Sequence, residues 1–337
     1  MKRPVTIFTG FLGSGKSTLL ARILEHPSMR HTAVLVNEFG KVGLDHHLLR
    51  RVDEHTVLLG GGCLCCTVRD DLVKALKDLL GLHERGEISQ LDRVIIETSG
   101  LADPAPILFT ILSDPVLQHH YFVDGVIATV DAVNGPMHLE LHPESVKQFT
   151  VADKVIITKT DIAAPDQINR LHSLLAGLNP SVTVMEAVFG NIEPEALLKT
   201  GPTKLRKANL SAALPDPSSN GSSHSTEPRS ISLTFDKPLD WTAFGLWLSM
   251  LLYAHGRDVL RVKGMVDVGE AGPVILNGVQ HIIHPPDHLE QWPGEDRRSH
   301  IIFIMKSLEP LDILSSLKGF QHLVGAKASM LEMDVRI

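Results

Sequence analysis

The stretch from Val5 to Glu25 constrains this chain more than any other. Val5–Thr9 is a short apolar strand, Gly10-Phe11-Leu12-Gly13-Ser14-Gly15-Lys16-Ser17 is a glycine-rich loop, and Lys16–Glu25 has helical spacing. In that order the three make a cradle for phosphate. The glycines let backbone N–H groups turn inward, and the helix N-terminus adds partial positive charge. Lys16 is placed to reach β- and γ-phosphates, and the Ser17 hydroxyl to ligate Mg2+. The expected fold class is therefore α/β, a P-loop domain with a mostly parallel sheet.

The chain downstream agrees. Thr32–Asn37, Thr56–Leu59, Arg93–Glu97, Gly125–Asp131 and Lys154–Thr158 read as further strands, and Arg69–Leu82, Pro104–Leu112 and Pro165–Leu178 as helices. Repeated strand–helix units give a parallel sheet covered on both faces, with ligands at the carboxyl ends of its strands. The alternation fades after about Thr200. Residues 206–229, rich in Ser, Pro, Asn and Gly, read as a flexible linker between a domain at 1–205 and a smaller α+β domain at 230–337. In the latter, Ser230–Phe235, Asp258–Val268, Val274–Ile283 and Ile301–Met305 read as strands, and Asp240–Tyr253 and Leu311–Leu317 as helices. The turn between the second and third of these strands falls at Glu270–Gly272 or at Asn277-Gly278, where Asn-Gly is a strong turn signal.

Two strand ends carry chemistry. Val94-Ile95-Ile96-Glu97 ends an apolar strand in a carboxylate, suited to the magnesium shell or to orienting an attacking water. Thr158-Lys159-Thr160-Asp161 closes another. The Asp161 carboxylate can accept from guanine N1–H and the exocyclic amine, whereas adenine presents an acceptor at N1 and lacks that amine. Such a site can reject the wrong base by ~10⁴. The Lys159 stem can lie along the base.

All three cysteines fall within Cys63-Leu64-Cys65-Cys66. Thiolates are soft ligands that favour Zn2+ and accept Co2+. Three of them leave a fourth position open, which suits a metal in transit better than a closed structural site. His46-His47, His119-His120 and the His138/His142 pair are auxiliary candidates; the last share a helix face but are bracketed by Pro136 and Pro143. A formal charge of −7 argues against nucleic acid as a partner and against a polybasic membrane anchor. No segment approaches the roughly 20 apolar residues of a membrane span. The N-terminus lacks a secretory pattern and the cysteines are clustered, so a reducing cytoplasm is expected.

The set Gly10–Thr18, Asn37-Glu38-Phe39-Gly40, Gly62–Cys66, Glu97-Thr98-Ser99-Gly100 and Thr158–Asp161, with Leu260–Gly264 and Asn277–Gln280 near the end, resembles the CobW-like metallochaperone GTPases. The resemblance implies slow Mg2+-dependent GTP hydrolysis. It implies zinc or cobalt held by Cys63, Cys65 and Cys66 and delivered to a client metalloprotein. Gly13, Ser14, Gly15, Lys16, Ser17, Thr18, Thr158, Lys159 and Asp161 would bind the nucleotide, and Lys16, Glu38 and Glu97 would serve hydrolysis. The family commonly carries an acid after Asn-Glu-Phe-Gly, where this chain has Lys41. Two other classes fit parts of the pattern: a nucleotide-gated metal store or sensor with negligible turnover, and a P-loop kinase. Homo-oligomerisation is left open.

Overall fold

Val/Ile-rich runs with no polar alternation can be satisfied only in a sheet covered on both faces, and the computed structural model has one. It describes residues 2–37, 56–58, 67–198, 228–323 and 333–336. The chain divides into two compact units: Met1–Leu174 with Val182–Gly201, and Leu175–Ser181 with Pro202–Ile337.

The first unit runs β1 (Arg3–Gly10), α1 (Lys16–Leu24), β2 (Thr32–Asn37), β3 (Thr56–Leu58), α2 (Thr67–Glu84) and β4 (Arg93–Thr98). It continues through α3 (Ala105–Ser113), α4 (Pro115–His120), β5 (Tyr121–Asp131), α5 (Gly135–Leu141), α6 (Pro143–Val151), β6 (Lys154–Thr158), α7 (Pro165–Leu178), β7 (Thr183–Ala187) and α8 (Pro194–Leu198). The seven strands lie in the order β3-β2-β4-β1-β5-β6-β7, every neighbouring pair parallel. β1 is central. The chain winds to its β4 side first and then to its β5 side, so the strand order reverses at β1, where such sheets bind ligands. Phe8, Leu19, Leu20, Ile23, Ile95, Ile127 and Ile156 pack together with no more than 1% exposure, locking α1 onto the middle strands.

β5 begins four residues before the expected Gly125. A register shift between Val5 and Thr6 of β1 lets it extend back to Tyr121, whose buried hydroxyl donates to Leu76 O at 2.9 Å. The short helices α4, α5 and α6 and the strand β7 were not expected.

The second unit contains β8 (Arg229–Phe235), α9 (Trp241–His255), β9 (Val259–Val266), β10 (Val274–Val279), β11 (Ile282–Ile283), β12 (Asp287–His288), β13 (Ser299–Met305), α10 (Pro310–Leu323) and β14 (Met333–Arg336). Its antiparallel sheet has the order β11-β10-β9-β13-β8-β14, with β12 on β10. Asp240 caps α9 by accepting from Ala243 N at 2.9 Å, and Phe244, Trp247, Leu248 and Leu252 bury that helix against the sheet. Val266 pairs with Val274, so the β9–β10 turn contains Glu270–Gly272. Asn277-Gly278 lies inside β10. The expected single strand Val274–Ile283 is broken instead at Gln280, whose φ of 54° starts the turn into β11.

Candidate functional site

At the carboxyl end of β1 the chain must reverse tightly into α1, and glycines make this feasible. Gly10, Gly13 and Gly15 have φ of 138°, 71° and 88°. A Cβ on Gly10 would stand 2.5 Å from Thr129 O and Oγ1. Ser14 is buried, its hydroxyl 2.7 Å from Thr129 Oγ1. Lys16 is buried and folds back across the loop, donating to Gly10 O at 2.9 Å and Phe11 O at 3.1 Å. Ser17 Oγ donates to Glu97 Oε1 at 2.7 Å. Thr18 is exposed on α1.

Glu97 is 4% exposed and reaches Ser17 because β1 and β4 run side by side with Phe8 opposite Glu97. The next residue ties the strands again, Thr98 Oγ1 donating to Thr9 Oγ1 at 2.9 Å. The turn that follows is held from beneath. Gln148 of α6, fully buried, donates from Nε2 to Gly100 O at 3.1 Å and Ala102 O at 3.0 Å. A Cβ on Gly100 would meet Leu12 N at 2.7 Å, so this turn and the glycine loop are in close packing.

The third wall is the end of β6. Thr158 Oγ1 lies 2.8 Å from Ser14 O and 3.1 Å from Val130 O, so it joins the expected base-reading segment to the phosphate loop. Lys159 adopts φ 59°, a left-handed conformation that costs a residue with a Cβ about 1 kcal/mol. Its Nζ donates to Asp131 Oδ2 at 2.5 Å. Asp131, at the end of β5, also accepts from Val133 N at 2.8 Å, Asn134 N at 3.2 Å and Asn134 Nδ2 at 3.0 Å. Burial alone would raise its pKa; the Lys159 ammonium and the Asn134 and Val133 hydrogen bonds outweigh that and hold it below the usual carboxylate value. Asp161 is exposed.

Sequence reasoning missed Asp131 and Gln148. Asp131 carries the signal that identified Glu97, an apolar strand ending in a carboxylate. Gln148 carries none. His138 and His142, weighed as auxiliary metal ligands, instead flank Phe11 of the loop, with ring centroids 4.6 and 4.4 Å away and the His142 ring stacked at 25°. Burial, then the neighbouring His142, lowers the pKa of His138 below the ordinary histidine value. Cys63, Cys65, Cys66 and Glu38 lie outside the described residues.

A glycine cradle at a reversal of strand order, with a lysine folded into it and a serine–carboxylate pair at its rim, defines the class of P-loop GTPase folds. Residues 4–186 match the family described as "CobW/HypB/UreG, nucleotide-binding domain", and residues 229–321 match "Cobalamin synthesis protein cobW C-terminal domain". The chain belongs to this family. It is 34% identical over 330 residues to the zinc chaperone YjiA of Escherichia coli, covering 94% of this chain and 98% of that protein. It is also 34% identical over 197 residues to the zinc-regulated GTPase metalloprotein activator 1 of Schizosaccharomyces pombe, covering 56% of this chain and 47% of that one. The crystal structure of Zn(II)-bound YjiA GTPase from E. coli superimposes with a TM-score of 0.73 at 30% identity, over 95% of this chain and 99% of that structure. Among the described residues, no helix is long and apolar enough to cross a membrane.

Proposed function

We propose that this chain hydrolyses GTP and uses the cycle to hold zinc on Cys63, Cys65 and Cys66 and to release it to a client metalloprotein. The observation that carries the nucleotide part is the Ser17–Glu97 contact, 2.7 Å, at the rim of the glycine loop. A hydroxyl and a buried carboxylate at the start of α1 form a hard-oxygen pair that fits Mg2+. When bound, magnesium would neutralise charge shared by the β- and γ-phosphates. The rest is the chain's own work. The N–H groups of Gly13, Ser14 and Gly15, with Lys16 Nζ, hold the phosphates; Lys16 exchanges its bonds to Gly10 O and Phe11 O for phosphate oxygens. Thr18 lines the α-phosphate side. Glu97 fixes Ser17 and polarises the attacking water, a task shared with Glu38. Asp161 accepts from guanine N1–H and the 2-amine. Lys159, held by Asp131, lies along the base face, and Thr158 keeps this segment in register with Ser14.

The cargo assignment follows the donor chemistry. Three thiolates favour zinc and accept cobalt, and an open fourth position allows transfer to another protein. Relatives named zinc chaperones support zinc. The cysteine segment precedes α2 and follows the Asn37–Asp45 segment, so nucleotide state and thiolate geometry share one length of chain. Zinc affinity measured with a non-hydrolysable GTP analogue, with GDP and without nucleotide tests the coupling. It should differ by at least about tenfold between the first two states; equal affinities in all three would end the proposal.

A further inference from the structure

We propose that His26, Glu193 and Glu195 form a second, exchangeable zinc site, separate from the cysteines. Each offers one ligand atom, and the three atoms lie within 4.8 Å of one another. Two distant stretches of chain meet here, both fixed by packing. His26 follows α1. Pro27 restricts it to an extended backbone, observed at φ −73° and ψ 138°, and the turn beyond is pinned by buried Met29. The other stretch leaves β7 and runs beside α1. Gly190 adopts φ 73°, and a Cβ there would stand 3.1 Å from both Leu19 Cα and Arg22 Cβ. Past it, Ile192, Leu197 and Leu198 join the core that buries Ile23. The two carboxylates alternate with Ile192 and the buried Pro194, so both reach the surface beside His26.

The donor chemistry selects the ion. One imidazole nitrogen and two carboxylate oxygens suit zinc, and two negative charges balance a dication. Three ligands at an exposed position leave room for water, which favours rapid exchange. Nδ1 of His26 lies 2.8 Å from the Ser28 hydroxyl. With the proton on Nδ1, that hydroxyl accepts it and Nε2 keeps the lone pair a metal needs. Ser28 N, 3.3 Å from Nδ1, asks for the opposite tautomer, so zinc and the turn compete over one proton position. α1 has nine residues, which puts the site about 14 Å of helix rise from the phosphate loop. Zinc binding here is therefore independent of nucleotide, and it stands whether or not the cysteines carry cargo.

The test uses the full chain with Cys63→Ser, Cys65→Ser and Cys66→Ser, titrated with zinc sulfate against a chromophoric chelator. One zinc per chain is expected, with only N/O ligands in its X-ray absorption spectrum. Adding His26→Asn, which retains an acceptor for Ser28 N, should weaken it at least about tenfold, as should Glu193→Gln with Glu195→Gln. Unchanged GTP binding by these variants verifies that they fold. A cysteine-free chain that binds no zinc overturns the proposal; so does zinc binding that neither substitution weakens.

Discussion

At the phosphate end of the site, Ser14, Lys16 and Glu97 are buried and hydrogen-bonded within the protein. At the proposed base end, Thr158 is bonded back to Ser14 O and Val130 O and Lys159 is tied by an ion pair to Asp131, but Asp161 is exposed. The first end is held by protein–protein hydrogen bonds, its lysine folded back on the loop carbonyls. The second leaves Asp161, the group proposed to read the base, in water. The difference suits the proposed cycle, in which GTP and GDP are both held through their phosphates and the base is chosen by hydrogen bonds that cost little to hold ready.

The largest effect should come from Lys16→Ala, which removes the ammonium bonded to Gly10 O and Phe11 O and with it the charge proposed to face the phosphates. Hydrolysis should fall about 1,000-fold, and inorganic tripolyphosphate, which has no base, should cease to compete for the site. Residual turnover near the wild-type rate would mean that the two ends are not divided as described. Next is Asp161→Asn. GTP affinity should drop roughly 100-fold, while a xanthine nucleotide, which carries a carbonyl where guanine has its amine, should gain. Tripolyphosphate affinity should not move; if it does, Asp161 serves the phosphates too.

A smaller effect is expected from Lys159→Met. Without the ammonium, burial is less opposed and the Asp131 pKa should rise, visible in a carboxyl NMR titration. In the wild type that pKa is depressed, so the stability the pair contributes is present at neutral pH. It should be lost only as pH falls below the ordinary value of 3.8 and through the lowered one; in the variant, whose folded pKa lies nearer the unfolded one, that loss should be smaller. An unshifted titration would assign the depression to Asn134 and Val133 alone. The smallest effect belongs to Tyr121→Phe, at the opposite end of β5. Losing the bond to Leu76 O should cost about 1 kcal/mol in denaturant unfolding and leave both phosphate and base binding untouched.

The sequence exposed these two ends unequally. The phosphate loop was legible because three of its backbone angles are positive and only glycine tolerates all of them, so geometry is written directly into residue type. Glu97 was legible as a strand-end carboxylate. Asp131 ends its strand in the same way, yet its role depends on Lys159 turning into a left-handed conformation, which no local pattern announces. Pro136 and Pro143 read as brackets around the His138/His142 pair, whereas each stands in the first turn of a short helix, where its missing N–H has no partner to lose. Asn277-Gly278 gave a strong turn signal, but β10 continues through it in register with β9. The cysteine segment lies outside the described residues, and its reading rests on residue type and order.

Gln148 gives the turn after Glu97 a mechanical threshold. Its amide is clamped on two carbonyls of that turn, and α6 cannot shift without dragging both. Reorganising the turn around a γ-phosphate therefore requires either carrying the helix along or breaking two buried bonds, roughly 2 kcal/mol or more. For the proposed cycle to act through this turn, loss of the γ-phosphate has to be worth at least that much to it; a smaller difference leaves the latch shut.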